Sequence, residues 1–337
     1  MLYQAPAWLP GGHAQTIWPA LYARRNRGPL KPLMRARWTT PDGDFLDVDM
    51  QGASRPDRPL LVLFHGLEGS SGSHYAQAFA DWAAEHDLNW ALPHFRGCSG
   101  ELNQAPRAYH SGDHEEIDWI LQRLRHEHRA QGGQTLVAAG VSLGGNALMR
   151  WAAEHGQQAC RQADAVACIC SPLDLMQSGL AIGRGLNRFI YTPMFLRSMK
   201  PKALAKWAQY PGLFDKDALL AAKDLFSFDN VFTAPLHGFK NTEDYWRRAS
   251  AKALMRDIRV PALALNALND PFVPAQSLPG PGDVSSSVCL WQPAQGGHVG
   301  FAQGSWPAHV RGMPDAVGAW LLQAGGLQVK QEESKNG

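Results

Sequence analysis

Ser142 stands in Gly140-Val141-Ser142-Leu143-Gly144, a G-x-S-x-G arrangement in which an apolar run ("TLVAAGVS") ends and a helical pattern ("GGNALMRWAAEH") begins. At such a strand-to-helix turn the serine takes a strained backbone conformation, and side chains on the flanking residues would collide. Gly140 and Gly144 avoid that collision, and Gly145 extends the clearance. The hydroxyl is thereby lifted to the C-terminal edge of a sheet beside a helix N-terminus, where ligands of open α/β sheets bind and developing negative charge is favoured. The alternative reading is a serine that only caps the helix.

A serine hydroxyl attacks a carbonyl only when a base takes its proton, and that base needs an orienting acid. In a sheet of this kind the chain order is serine, acid, histidine. Asp270 follows the apolar run "PALALNALND", in a turn fixed by Pro271, and His298 follows "SVCLWQPAQGGH" in a Gly-rich loop. Both fall at strand C-terminal ends. Asp283 lies in a Pro/Gly loop, and His309 follows a Trp-Pro turn without a preceding strand, so both are weaker candidates. An oxyanion would rest on the Leu143 N–H, next to the nucleophile, and on the Leu67 N–H in "LFHGLEGSSGSHY". His65 precedes the serine, the wrong order for the base, and reads as a brace of that loop; Glu68 reads as structural. A histidine base makes activity fall in acid.

The elements that must position these residues alternate. "LMRARWTT" and "FLDVDMQG" around "PDGD" predict a hairpin, and "PLLVLFHG", "NWALPHFRG", "TLVAAGVS", "AVACICSP" and the two runs above predict further strands. "HYAQAFADWAAEH" and Asp113 to about Ala130, with Ile117, Ile120, Leu121 and Leu124 at helical spacing, predict helices between them. The result is a mostly parallel sheet of about eight strands, covered by helices on both faces, with an antiparallel edge. Residues 172–258 break the rhythm: without a convincing strand and rich in Leu, Phe, Tyr, Trp and Met, they read as a mainly helical cap inserted into a core of residues 1–171 and 259–326. Residues 327–337 read as a flexible tail.

Composition narrows the class. With 337 residues, 45% hydrophobic and 18% charged, the chain can bury a sizeable core. A formal charge of +2 gives no reason to expect nucleic acid or an acidic membrane as partner. The N-terminus has the pattern of neither a signal peptide nor a membrane anchor. The five cysteines lack paired spacing, so a reduced, cytoplasmic setting is the default. Cys168 and Cys170 alternate along one strand and are expected on one side of it, as buried small residues.

Taken in order, "GHAQT", "TPDGDFLDVD", "HGLEGSSGSHY", "HFRGCSGELN", "YHSGD", "GVSLGGNAL", "NALNDPFVP" and "GGHVGF" resemble the YheT-like family of α/β-hydrolases, related to animal abhydrolase-domain esterases and lipases. The resemblance spans nearly the whole chain. It implies the α/β-hydrolase fold and carboxylic-ester hydrolysis, with Ser142 as nucleophile, Asp270 as acid, His298 as base and no cofactor. It departs where Gly11-Gly12 precede His13, at positions where family members often carry Asn-Pro. Arg96, Cys98, Asn103, His110 and Asp113 belong to its motifs and are expected as a buried polar network beneath the site. A metal on His110 and His114 is the rival idea, weakened by Ser111-Gly112 between them. His126 and His128 are expected on the surface. Phe189, Tyr191, Phe195, Trp207, Phe214, Phe226 and Phe228 either line an acyl pocket or pack the cap.

The leading function is thus a serine carboxylesterase acting through an acyl-enzyme on a small-molecule ester with an apolar acyl group. An acyltransferase using the same acyl-enzyme, or a silent binding protein on the same fold, are the alternatives.

Overall fold

The computed structural model describes residues 3–29 and 31–327, so all of the expected tail except Leu327 lies outside the described residues. The sheet has eight strands: β1 (Met34–Thr39), β2 (Phe45–Gln51), β3 (Leu60–Phe64), β4 (Asn89–Pro93), β5 (Leu136–Val141), β6 (Ala165–Ile169), β7 (Ala262–Leu265) and β8 (Val288–Trp291). Their order across it is β1-β2-β4-β3-β5-β6-β7-β8. β1 pairs antiparallel with β2, and β2 with β4; every pairing from β4 to β8 is parallel. The Asp-Gly hairpin is therefore the antiparallel edge. The central strands β3, β5 and β6 are buried along their whole length, as strands covered on both faces must be.

Helices α1 (Gly11–Leu21), α2 (His74–Glu85), α3 (His114–Ala130) and α4 (Leu143–His155) precede β6 or follow β5 directly. Between β6 and β7 the chain is helical, with α5 (Leu175–Ile182), α6 (Gly185–Gln209), α7 (Lys216–Ala221), α8 (Leu225–Val231), α9 (Thr233–Leu236) and α10 (Thr242–Ala249). A last helix, α11 (Gly312–Ala324), follows β8. One core layer packs Ile117, Ile120 and Leu121 of α3 and Leu148 and Trp151 of α4 against one sheet face. The other packs Phe79 and Trp82 of α2 and Val317 and Leu321 of α11 against the opposite face. The helices between β6 and β7 carry two further clusters of their own, around Tyr245 and Trp246 and around Phe228 and Phe232. No helix among the described residues is long and apolar enough to cross a membrane.

Three expectations are corrected here. Cys168 packs in the first core layer but Cys170 in the second, because β6 ends at Ile169 and Cys170 takes φ 50°, which turns its side chain to the other face. His128 is 4% exposed, not solvated: the Gly132-Gly133 turn folds back over the end of α3, and the imidazole Nε2 lies 3.1 Å from the Thr135 carbonyl. His126 is exposed, as expected. The motif residues after β4 do not form one network. Arg96 and Asn103 share Asp44, Arg107 reaches Asp113, and Cys98 lies by Lys202.

Candidate active site

Ser142 adopts φ 51°, ψ −118°, the strained turn its sequence context demands. The neighbouring glycines are obligatory: a Cβ on Gly140 would meet the Gly144 carbonyl at 2.5 Å, and one on Gly144 the His65 carbonyl at 2.5 Å. Gly145 is tighter still, with Ser171 Oγ 1.9 Å from where its Cβ would be. The Ser142 side chain makes no capping bond to α4. Its Oγ lies 3.1 Å from His298 Nε2, while His298 Nδ1 lies 2.8 Å from Asp270 Oδ2. Donation by Nδ1–H to the carboxylate leaves the Nε2 lone pair for the serine proton. The other carboxylate oxygen, Oδ1, accepts from the Phe272 N–H at 2.8 Å and the Val273 N–H at 3.3 Å, so Asp270 is held by its own turn.

The loops after β7 and β8 are tied together by the N-terminal helix. Gln15, buried in α1, accepts from the Gly296 N–H at 3.0 Å and from Asn269 Nδ2 at 2.8 Å, and donates to the Leu9 carbonyl. Thr16 Oγ1 accepts from the His298 N–H at 2.8 Å, and Asn269 Oδ1 from the Gly297 N–H at 3.0 Å. Gly12 sits so close that a Cβ would meet the Asn269 carbonyl at 1.9 Å, and Gly11 takes φ 74°. Gly12 before His13 is thus required by this packing, and Gly11 by its own positive φ. Phe272 lies against the imidazole of His298, ring centroids 4.2 Å apart. Sequence reasoning did not assign Gln15, Thr16 and Phe272; the only signal was the "GHAQT" motif and the Pro-Phe after Asp270.

Of the two backbone donors expected at the site, Leu67 is bracketed by tyrosines. Tyr75 Oη accepts from the Gly66 N–H and Tyr109 Oη from the Glu68 N–H, each at 2.9 Å. Between them the Leu67 N–H donates to none of the described groups. The Leu143 N–H opens α4, where no intrahelical acceptor exists. Tyr109 also donates to Glu68 Oε1 at 2.9 Å, and Lys202 of α6 reaches the same carboxylate at 3.0 Å. Glu68, with φ 57°, is therefore a strained anchor of this loop. His65 braces it: Nδ1 donates to the Gly66 carbonyl at 2.7 Å and Nε2 accepts from the Phe95 N–H at 3.0 Å. Complete burial pushes the His65 imidazole down to about 3, so it stays neutral and suited to that double role.

Comparison with known proteins decides the family. A family profile described as "alpha/beta hydrolase fold" matches residues 59–305. The protein named "Putative esterase YheT" of Escherichia coli strain K12 is 35% identical over 87% of this chain and 85% of its own. The chain belongs to the YheT-like α/β-hydrolases. "Phospholipase ABHD3" of Mus musculus is 27% identical over 92% of this chain and 79% of its own. Among solved structures, the fold is shared with the Pyrococcus furiosus esterase Pf2001, at TM-score 0.54 and 16% identity over 89% of this chain and 96% of that one.

Above Ser142 this α/β-hydrolase opens a cleft walled by Leu175 and Ile182 of α5, Phe195 and Met199 of α6, and Phe228 and Trp246. Of the aromatics weighed from sequence, Phe195 and Phe228 line it, while Phe189 and Phe226 are exposed. The polar exceptions in the wall include Asp229 and Ser178. Asp229 accepts from Thr233 Oγ1 at 2.6 Å and Trp246 Nε1 at 2.8 Å, and its burial pushes the carboxyl up to about 6. The buried Ser178 hydroxyl has no partner among the described residues.

Among the described residues, the one group able to offer three metal ligands is Cys170, Asp270 and His298. It fits a metal poorly. Burial, with Asp270 nearby, pushes the Cys170 thiol well above its usual range, its sulfur accepts the Val299 N–H, and His298 Nδ1 is committed to Asp270. His110 packs beside His237, and His114 faces His155.

Proposed function

We propose that this protein is a serine hydrolase of carboxylic esters. Ser142 is the nucleophile, His298 the base and Asp270 the group that orients the imidazole. The reading is carried by one observation: His298 bridges Ser142 Oγ and Asp270 Oδ2 through its two ring nitrogens, at 3.1 and 2.8 Å. Three residues far apart in sequence thus line up, and each has the role its chemistry suits.

In the reaction, Ser142 Oγ attacks the ester carbonyl as its proton passes to His298 Nε2. The oxyanion rests on the Leu67 N–H, left as a donor between neighbours that the two tyrosine hydroxyls occupy, and on the Leu143 N–H at the start of α4. The carbon–oxygen bond to the alcohol breaks, and the alcohol departs with the proton from His298. Water then attacks the acyl-enzyme by the same proton route and releases the acid. The names of the relatives, an esterase and a phospholipase, fit ester cleavage. The helices between β6 and β7 act as a cap over Ser142, and their apolar side chains in the cleft wall suit an apolar acyl group.

The test is labelling with a fluorophosphonate followed by peptide mass spectrometry, beside turnover of p-nitrophenyl esters of increasing chain length. The adduct is expected on Ser142, and Ser142→Ala is expected to lose turnover at every chain length. An adduct elsewhere, or turnover retained by Ser142→Ala, refutes the mechanism.

A further inference from the structure

The helix that covers the cleft has a second face, and it points away from the protein. In α6, Leu186, Phe189, Ile190, Pro193 and Met194 recur at helical i, i+3, i+4, i+7, i+8 spacing, and all five are exposed. The exposure is large for apolar side chains: 64% for Leu186, 77% for Phe189 and 54% for Met194. Tyr191 and Thr192 on the other side of the helix are buried, as is Leu196 farther along, so the helix is already packed and the outward stripe is surplus to folding. A contiguous apolar stripe on a solvent face marks a surface that another phase or molecule covers.

The charge on this helix says what covers it. α6 contains no acidic residue, yet carries Arg188, Arg197, Lys200, Lys202 and Lys206, with Arg184 just before it. Lys202 is committed to Glu68, and Lys206 is buried on the Asn103 and Ala105 carbonyls. Arg184, Arg188 and Arg197 are exposed and form no ion pair with the described residues. By helical spacing Arg197 continues the apolar stripe, while Arg184 and Arg188 lie on the side turned from it; an apolar stripe continued by an unpaired cation, on a basic helix that does not span a bilayer, matches the lipid–water interface of an anionic membrane. A second copy of the same face would oppose arginine to arginine, which disfavours self-association there.

We propose that the N-terminal half of α6 is a membrane-docking surface that seats the protein on anionic lipid. Leu186, Phe189, Ile190 and Met194 enter the acyl boundary, Arg197 meets headgroup phosphates, and Arg184 and Arg188 add attraction from farther off. The position is apt. Buried Tyr191 of the same helix bonds His13 at 3.1 Å and packs on Phe272, which packs on His298, while Phe195 enters the cleft. The surface thus brings the cleft to where apolar esters reside. The proposal goes beyond the ester-hydrolase reading and is testable without it.

The experiment is flotation of the full-length protein with vesicles of phosphatidylcholine alone and of phosphatidylcholine with phosphatidylglycerol. It is run in the Ser142→Ala background so that turnover plays no part. The protein is expected to float with the anionic vesicles, less so as salt rises. Leu186→Ser/Phe189→Ser is expected to weaken that association roughly tenfold or more, from the lost apolar burial. Arg188→Glu/Arg197→Glu is expected to abolish the preference for phosphatidylglycerol. In the otherwise wild-type protein, turnover of a short, water-soluble ester is expected to stay within about twofold for both pairs, because none of the four residues lines the cleft. Absence of binding to either vesicle overturns the proposal, as does binding that survives both pairs of substitutions. It is equally overturned if the protein is a dimer in solution that Leu186→Ser/Phe189→Ser dissociates, since the stripe would then be covered by a second copy.

Discussion

Gln15 lies outside the proposed reacting groups, yet its replacement by Met is predicted to damage turnover as well as folding. Met conserves volume and forms none of the three hydrogen bonds that Gln15 makes to Gly296, Asn269 and Leu9. Each such bond is worth about 0.5–1.5 kcal/mol net, and stranding the buried Gly296 N–H adds about 1–3 kcal/mol. The predicted loss of stability is therefore roughly 3–7 kcal/mol, visible as a fall in urea midpoint at unchanged slope. The catalytic effect comes from geometry. Gln15 clamps the loop that carries Asp270 to the loop that carries His298, and a misplacement of about 1 Å at reacting groups costs on the order of 10²-fold. A 30- to 100-fold fall in kcat is thus expected, about that order, with KM for a short ester within about twofold because the cleft wall does not include Gln15. Gln15→Glu keeps an acceptor for both loops and is expected to recover most of kcat. If Gln15→Met loses stability as predicted while kcat stays within twofold of the native value, roughly the reproducibility of such assays, Gln15 is only a packing residue and the clamp argument fails.

Asp270→Asn should leave the fold intact but reduce kcat by about 10⁴, because the amide no longer accepts from Nδ1–H and the imidazole loses its orientation; a loss under about tenfold would refute the role given to Asp270. Tyr109→Phe frees the Glu68 N–H and loosens the loop bearing Leu67, so kcat should fall roughly 10- to 30-fold, part of the ~10²–10³ that a lost oxyanion donor costs; unchanged kcat in Tyr109→Phe and Tyr75→Phe together would remove Leu67 from the mechanism. Asp229, raised from 3.8 to about 6 by burial, holds its proton more tightly in the folded state, so stability should decline as pH rises from about 4 to about 6, by roughly 3 kcal/mol. In Asp229→Asn the amide can donate to Thr233 Oγ1 and accept from Trp246 Nε1, so that decline should vanish; thermal unfolding of both proteins at about pH 4 and about pH 7 tests it, and a constant difference between them contradicts the argument.

Much of the frame follows from local pattern. Val and Leu runs bounded by Gly or Pro can only be buried strands, and periodic Ile and Leu from 117 to 124 can only be one face of a helix. The strained turn at Ser142 is equally local, since Gly140, Gly144 and Gly145 tolerate contacts that any side chain would block. The chain order of serine, aspartate and histidine at strand ends is likewise legible in one dimension. Errors came where a single torsion or a returning loop overrode periodicity. Cys170 changed face through a positive φ, and His128 was buried by the turn that follows its helix.

Which distant groups meet was decided in three dimensions. Nothing near Gln15 or Thr16 in sequence announces that they hold the loops after β7 and β8, because those bonds span more than 250 residues. Nor does a Phe in an aromatic-rich insertion declare whether it lines a cleft, as Phe195 does, or faces outward, as Phe189 does. Local sequence sets backbone torsions and which side of an element is apolar, since these depend on neighbours a few residues away. The tertiary structure alone sets hydrogen-bond partners and the destination of each apolar face, because both depend on where the sheet places residues that the chain itself keeps far apart.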